Sequence, residues 1–324
     1  MGAEFDNNRK ILPSIAMPEF CEALTGQASP NGRWIAIQIN CEAGGYIQVL
    51  DFTSGEVLNL GVNNSREGQF LEWITSEDEL LILIHGLLSN EVYKVNMLTQ
   101  VVERLDVPEN VYDLTMSPSR QRIIYSTTQG IGFGSETWLA NVDGTNARRI
   151  FDEPEHLVIF PRWAPDETAL AYIRLQDSST PFVTGELLLA DHDGSNSTVL
   201  STIDAGHGYY PTWSPDSRFL AFVKRENPND ELANIEADKL ISNVYVLDVQ
   251  VKMIKNTSGF SETLVEQPIW SPDGKQLAFG VKGSGKTGLW QFDLPTNNLQ
   301  QVVNSDILGA PLWLTNPKSI EDSK

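Results

Sequence analysis

Trp270-Ser271-Pro272-Asp273-Gly274-Lys275-Gln276-Leu277-Ala278-Phe279 decides the fold, because the chain writes it more than once. It recurs as Trp213-Ser214-Pro215-Asp216-Ser217, ending Leu220-Ala221-Phe222, and as Trp163-Ala164-Pro165-Asp166-Glu167, ending Leu170-Ala171-Tyr172. Weaker copies begin at Ala28, Trp73 and Met116, and a last start appears at Trp313. The starts at 28, 73, 116, 163, 213, 270 and 313 lie 43 to 57 residues apart, the period of an array or a propeller.

The motif's chemistry explains the period. Pro presets φ, Asp bonds backbone two residues on, and Gly accepts a positive φ, so the four residues after each Trp make a tight turn. Apolar runs flank the turn and pair as antiparallel strands, with large residues alternating about a small one in the second. A third strand ends in Asp or Asn, as in Leu187 to Asp191 or Leu289 to Asp293, and a shorter fourth follows. Four strands per repeat and six full repeats, from about Cys21 to Val303, predict an all-β, six-bladed β-propeller with four-stranded antiparallel blades.

The Pro-x-Trp-Ser-Pro-Asp-Gly start, the Leu-Ala-Phe strand and the turn Asp191 to Asn196 resemble the WD40-like (PD40) repeat of TolB-like propellers. The resemblance covers almost the whole chain and is strongest in the repeats from Trp163, Trp213 and Trp270. It implies a cell-envelope or extracellular scaffold that works through protein–protein contacts. The helical domain that precedes the propeller in TolB has no counterpart in the sequence, so no Tol–Pal role is carried over. Fold alone does not decide activity, since propellers host binding modules and enzymes alike.

The expected organisation is a disordered tail or a vector-derived scar at residues 1–8 and one propeller domain over 9–324. Arg9 to Leu12 reads as a strand without a preceding blade, and Ala310 to Thr315 as the first strand of another. Six blades with terminal extras, or a seventh incomplete blade, both satisfy that pattern; the abrupt stop after Trp313 also fits one module of a longer chain. An open ring would expose unpaired edges.

Composition narrows function. With 43 acidic and 23 basic residues the formal charge is −20, which argues against nucleic acid and anionic membranes as partners. No stretch approaches the roughly 18 apolar residues of a membrane span, and a monomer is expected. Cys21 and Cys41 flank the first hairpin. With the turn at Ser29 to Gly32, position 21 falls opposite 40 or, given a one-residue bulge, 41. The pair is either a disulfide, implying a periplasmic or extracellular location, or two reduced thiols.

The long, variable connections between second and third strands, and between blades, share one face, the better place for a site. That face should carry His156, Arg174, His207, Tyr209, Tyr210, Lys224 and Arg225. Gly206-His207-Gly208-Tyr209-Tyr210 is the most site-like composition, against a bland reading in which the tyrosines pack on the blade wall. The longest insertion, Lys224 to Ser242, is either a short amphipathic helix over Glu231 to Ile241 or an acidic loop.

Other motifs reduce to turns. Gly280 to Thr287 fits GxxxxGK[ST], but a strand follows where the phosphate loop needs a helix. Asp191-His192-Asp193-Gly194 starts like a calcium loop and lacks the later acidic ligand. The four histidines have no zinc spacing, and Asn63, Asn196 and Asn256 begin glycosylation sequons in or near predicted turns. No G-x-S-x-G elbow is present. No cofactor and no catalytic residues are expected. The leading expectation is a non-enzymatic scaffold presenting loops to a protein or peptide. The alternative is an enzyme or small-ligand binder, lyase or hydrolase in type, with its site at the axial funnel.

Overall fold

The computed structural model describes residues 21–305 except 30, 43, 61–66, 75–77, 87–88, 131, 178–179 and 207–208, together with 311 and 313. The tail expected at 1–8, the strand expected at 9–12, all of that expected at 310–315 but Pro311 and Trp313, and the sequon at Asn63 lie outside the described residues. The described strands form six antiparallel sheets, one for each full sequence repeat. They are the blades of a six-bladed β-propeller.

The chain divides into two compact units, with Arg104 and Ser305 bounding the first and Leu105 and Asn304 the second. The first holds two blades: β1 (Cys21–Ala28), β2 (Trp34–Cys41), β3 (Gly44–Asp51) and β4 (Val57–Leu60), then β5 (Glu67–Trp73), β6 (Glu79–His85), β7 (Asn90–Asn96) and β8 (Val102–Arg104). The second holds four. Its first is β9 (Val111–Met116), β10 (Arg122–Thr127), β11 (Ser135–Asn141) and β12 (Arg148–Glu153), and its next is β13 (His156–Trp163), β14 (Ala169–Gln176), β15 (Thr184–Asp191) and β16 (Thr198–Asp204). The fifth blade is β17 (Thr212–Trp213), β18 (Phe219–Arg225), β19 (Ser242–Asp248) and β20 (Met253–Asn256). In the sixth, β21 (Leu264–Val265) and β22 (Ile269–Trp270) are two pieces of one inner strand against β23 (Gln276–Lys282), followed by β24 (Gly288–Asp293) and β25 (Asn298–Val303). The break falls at Pro268, which has no N–H for the ladder.

The turns behave as their composition dictates. Ser271 Oγ accepts the N–H of Gln276 at 2.9 Å and donates to Asp273 Oδ1 at 2.7 Å, and that oxygen accepts the N–H of Lys275 at 3.1 Å. Ser214 with Asp216 and Ser29 with Asn31 repeat the device. The left-handed position is Gly32 and Gly274 in two blades, but Arg120, Glu167 and Ser217 in three others, at φ of 59 to 62°. A non-glycine residue there is strained. Two of the three offset it by reaching the adjacent blade: Glu167 pairs with Arg122 and accepts the N–H of Ser119, and Ser217 Oγ accepts the N–H of Asp166.

The alternation expected of the second strands is only half the pattern. Leu220, Ala221 and Phe222 are all fully buried, as are Leu170 and Ala171, because these strands are covered on both faces. The alanines explain how. Ala171 shares a core cluster with Leu220 and Phe222 of the following blade, and Ala221 with Leu277 and Phe279 of the one after. Ala36 meets Trp73, Leu80 and Ile82 in the same way within the first unit. The small side chain of one blade is the socket for the large ones of the next.

The motif tryptophan adds a polar link. The indole N–H donates to the carbonyl one residue before the preceding repeat start: Trp73 to Gln27 at 2.9 Å, Trp213 to Arg162 at 3.1 Å and Trp270 to Thr212 at 3.0 Å. Trp163 makes no such bond and lies instead under the Arg122 guanidinium, 4.7 Å from its ring centre.

In the first blade, β1 is bulged between Ala23 and Thr25, so Cys21 stands opposite Cys41 and the two sulfurs are bonded. In the fifth, the insertion is neither one helix nor an irregular loop. It makes two 3-10 turns, Leu232–Asn234 and Ala237–Lys239, that bury Ala233 and Leu240.

Trp270→Phe removes one inter-blade indole bond and leaves the Thr212 carbonyl without that donor. We expect a loss of about 1–3 kcal/mol in urea unfolding, with the fold kept. A change within measurement error would show that the link is dispensable.

Candidate functional site

The inner strands of the second unit are irregular at one repeated place. Pro161, Pro211 and Pro268 each stand two residues before a motif tryptophan. Without an N–H, proline breaks the ladder and releases the residue before it. In β13 the pairing passes from Ile159–Ile173 directly to Arg162–Ala171, so Phe160 and Pro161 together face Tyr172. This is a β-bulge, a device that re-aims a side chain. Phe160 adopts a left-handed φ of 51°, rare for a bulky residue.

The N–H groups freed before Pro161 and Pro211 each find a side chain from an adjacent blade, and so does that of Phe70, which precedes Leu71. Phe160 donates to Asp113 Oδ2 at 2.6 Å, Tyr210 to Gln267 Oε1 at 2.9 Å and, in the first unit, Phe70 to Gln38 Oε1 at 2.8 Å. Gln267 is committed at both ends, since its amide nitrogen donates to the carbonyls of Tyr210 and Pro268 at 3.0 and 3.1 Å. Asp113 is buried. Burial drives its carboxyl above the ordinary carboxylate value, and the opposing pull of Arg162 and of the N–H groups of Phe160 and Leu114 does not offset it.

Arg162 completes the cluster. Its Nη1 donates to the Pro161 carbonyl at 2.8 Å. Its guanidinium carbon lies 4.8 Å from the Tyr210 ring centre and 5.7 Å from that of Phe160. The two rings are 6.0 Å apart and tilted by 55°. Asp113, Phe160, Arg162, Tyr210 and Gln267 thus bring a cation, a carboxyl and two aromatic faces together on inner strands.

A second arrangement lies at the far end of the strands. Asp177 Oδ2 accepts the N–H groups of Gly132 and Gly134 at 2.7 and 2.9 Å, tying down the β10–β11 loop from the β14–β15 loop. The β14–β15 loop is in turn bonded to the fifth blade's insertion: Phe182 donates its N–H to the Asn234 carbonyl at 3.1 Å and accepts Arg225 Nη1 at 3.2 Å. Three successive loops interlock in this way. Their tips expose Phe133, Leu232 and Ile235 at 68, 57 and 65% of their surface.

The residues expected to form one site are distributed between these places. Arg174 bridges Glu186 Oε2 (Nη2 at 2.5 Å) and Glu153 Oε1 (Nη1 at 3.3 Å), with His156 Nδ1 3.8 Å from Glu153. The bond to Glu186 is the main reason its pKa is raised. Lys224 lies 5.3 Å from the Tyr245 ring centre. Arg225 is not available at the surface. It is buried, its pKa is lowered by desolvation, and it holds Asn234, Asp230 and Phe182 in place. Tyr209 packs against the core between the fifth and sixth blades, and burial raises its hydroxyl pKa. Tyr210 alone of the seven belongs to the inner-strand cluster. His207 lies outside the described residues. Its neighbour Gly206 is required by close approach, since a Cβ there would sit 2.4 Å from Phe182 Cα.

Asp113, Phe160, Arg162 and Gln267 were not anticipated. Their signal was nevertheless present, because Phe70, Asp113, Phe160, Tyr210 and Gln267 all sit three residues before a repeat start. The phosphate-loop match is the β23–β24 hairpin, with Gly283, Ser284 and Gly285 at positive φ. The calcium-like stretch is a hairpin turn in which Asp193 bonds Ser195.

No protein-family model matches the chain. Among solved structures it is similar to an oligogalacturonate lyase in complex with manganese, at 12% identity over 89% of this chain and 79% of that one, with a TM-score of 0.61. It is similar to TolB from Acinetobacter baumannii at 13% identity over 86% of this chain and 62% of that one, TM-score 0.55. The β-propeller domain of the Trilobed protease from Pyrococcus furiosus matches at 8% identity over 90% and 85%, TM-score 0.58. These similarities establish the propeller fold. Among the described residues no group of three or more His, Cys, Asp and Glu is placed to hold a metal ion.

Asp113 supplies a test by pH. Its folded pKa is raised, so its contribution to stability is complete below the unfolded value and is lost as pH rises through the folded one. Asp113→Asn keeps an acceptor for Phe160 and removes that loss. We expect the variant to gain on the wild type as pH rises above about 4. A stability difference that stays flat from roughly pH 3 to 8 would contradict the raised carboxyl pKa.

Proposed function

We propose that the chain is a non-enzymatic binding propeller whose second unit offers an interlocked loop surface to a protein or peptide partner. One observation carries the reading: the loops after β10, β14 and β18 are fixed to one another by Asp177, Phe182 and Arg225, while large apolar side chains stand exposed at their tips. Loops fixed before contact lose little freedom on binding, and exposed apolar side chains on such loops gain from being covered. Asp230, Glu231, Glu236 and Asp238 are exposed around Leu232 and Ile235. The partner is therefore expected to set basic residues around an apolar contact. TolB and the lyase share the fold without deciding between binding and catalysis. The Cys21–Cys41 disulfide supports an oxidising compartment, periplasmic or extracellular.

Replacing Leu232 and Ile235 together by Asp should leave the melting temperature within a degree or two, since both side chains are exposed. Proteins captured from the native host by the wild type should be lost by the variant, with affinity falling by about tenfold or more. Equal capture by both proteins would reject the loop surface as the docking site. For the disulfide, thiol labelling of the unreduced, unfolded chain should find no free sulfhydryl; two labelled thiols would remove the argument for compartment.

A further inference from the structure

Arg162, like Arg148 and Arg225, is an arginine with no carboxylate in ion-pair contact among the described residues of an acidic chain. Acidic residues outnumber basic ones by twenty, and Arg33, Arg104, Arg122, Arg149, Arg174 and Arg218 each have a carboxylate partner. Among the described residues Arg162 has none within ion-pair distance, and its one acceptor is the carbonyl of Pro161. The Asp113 carboxyl, the acidic group facing it, is directed to the N–H of Phe160 instead.

The surroundings hold this guanidinium in place rather than neutralise it. Tyr210 and Phe160 cover its faces. Gln267 clamps both the N–H and the carbonyl of Tyr210. A bulge with Phe160 in a left-handed conformation aims the strand that carries it, and backbone strain of this kind gathers where a ligand is held. With Nη1 turned to Pro161, the Nε–Nη2 edge has no protein acceptor among the described residues. That edge is a planar fork matched to two oxygens of a carboxylate.

We propose that Arg162, on the platform of Tyr210 and Phe160, binds the carboxylate of a small organic acid through its Nε–Nη2 edge. This site is independent of the loop surface. A carboxylate fits better than a phosphate because the cluster offers one cation beside a carboxyl group, which suits a single negative charge. The two aromatic faces favour an acid with a flat or apolar body.

The test titrates benzoate, benzamide and inorganic phosphate into the full chain, following arginine side-chain Nε–Hε signals by NMR. Benzoate should shift one signal saturably, and that signal should be missing from Arg162→Lys. The apparent affinity, read in the variants from backbone amide shifts, should fall about tenfold in Arg162→Lys, which keeps the charge and loses the fork, and comparably in Tyr210→Leu. Benzamide, which has the same shape without the charge, should shift nothing. Saturation by phosphate but not benzoate would overturn the carboxylate assignment. Absence of saturation in the wild type, or undiminished saturation in Arg162→Lys, would overturn the site itself, and the wild-type titration decides even if a variant fails to fold.

Discussion

The structure depends on one packing relation, repeated from blade to blade. The alanine at the middle of a second strand is the space into which the following blade inserts large apolar side chains. Ala36, Ala171 and Ala221 each serve such a neighbour. Protein interiors tolerate neither voids nor excess volume, so the small residue is as necessary as the large ones. The Leu-Ala-Phe triplet therefore encodes a contact between sheets as much as a strand. The motif tryptophan adds direction to that contact at Trp73, Trp213 and Trp270. Its indole reaches back to one particular carbonyl, which fixes how far one inner strand slides past the next.

The same arrangement creates the polar problem from which the inner-strand cluster grows. A proline two residues before the tryptophan interrupts the ladder and leaves an N–H to be satisfied. Gln267 solves it with a neutral amide, at little electrostatic cost, and Gln38 does the same for Phe70 in a blade where Leu71 stands in the proline's place. Asp113 solves it with a buried carboxyl, and the next blade answers with an arginine rather than the Thr212 or Ile269 of its neighbours. Where the repeat departs from its own economical solution, the departure is concentrated in a few side chains that touch one another. The loop end follows a different logic: there, polar side chains such as the buried Arg225 and the half-buried Asp177 immobilise loops so that apolar tips can stay exposed.

Much of the fold was legible in the sequence because the repeat is periodic and its turns are chemically specific. The Ser-Pro-Asp-Gly stretch names the residues that bond one another, and the register of β1 against β2 could be counted from the turn to within the bulge that sets Cys21 opposite Cys41. The insertion was less legible. Leu232, Ile235, Leu240 and Ile241 have a loosely helical spacing, but Asp230 bonds the backbone locally and Arg225 draws in Asn234, which closes two short turns instead of one helix. Arg225 itself looked like a surface cation, since nothing in the sequence shows that a neighbouring loop will cover it. Asp113 was hidden for a simpler reason: its repeat starts with Met116 instead of Trp, so its alignment with Phe160, Tyr210 and Gln267 emerges only once the bulges are seen to coincide.

The packing relation can be tested directly by a double-mutant cycle on Ala221 and Phe279, which belong to one core cluster in adjacent blades. Ala221→Leu fills the socket and Phe279→Ala empties the plug, and urea unfolding gives the stability of each single variant and of the pair. Complementary packing predicts that the double variant recovers stability, with a coupling of about 1 kcal/mol or more. Losses that add to within about 0.5 kcal/mol would mean that the two residues do not share a space, and the central packing relation would be wrong.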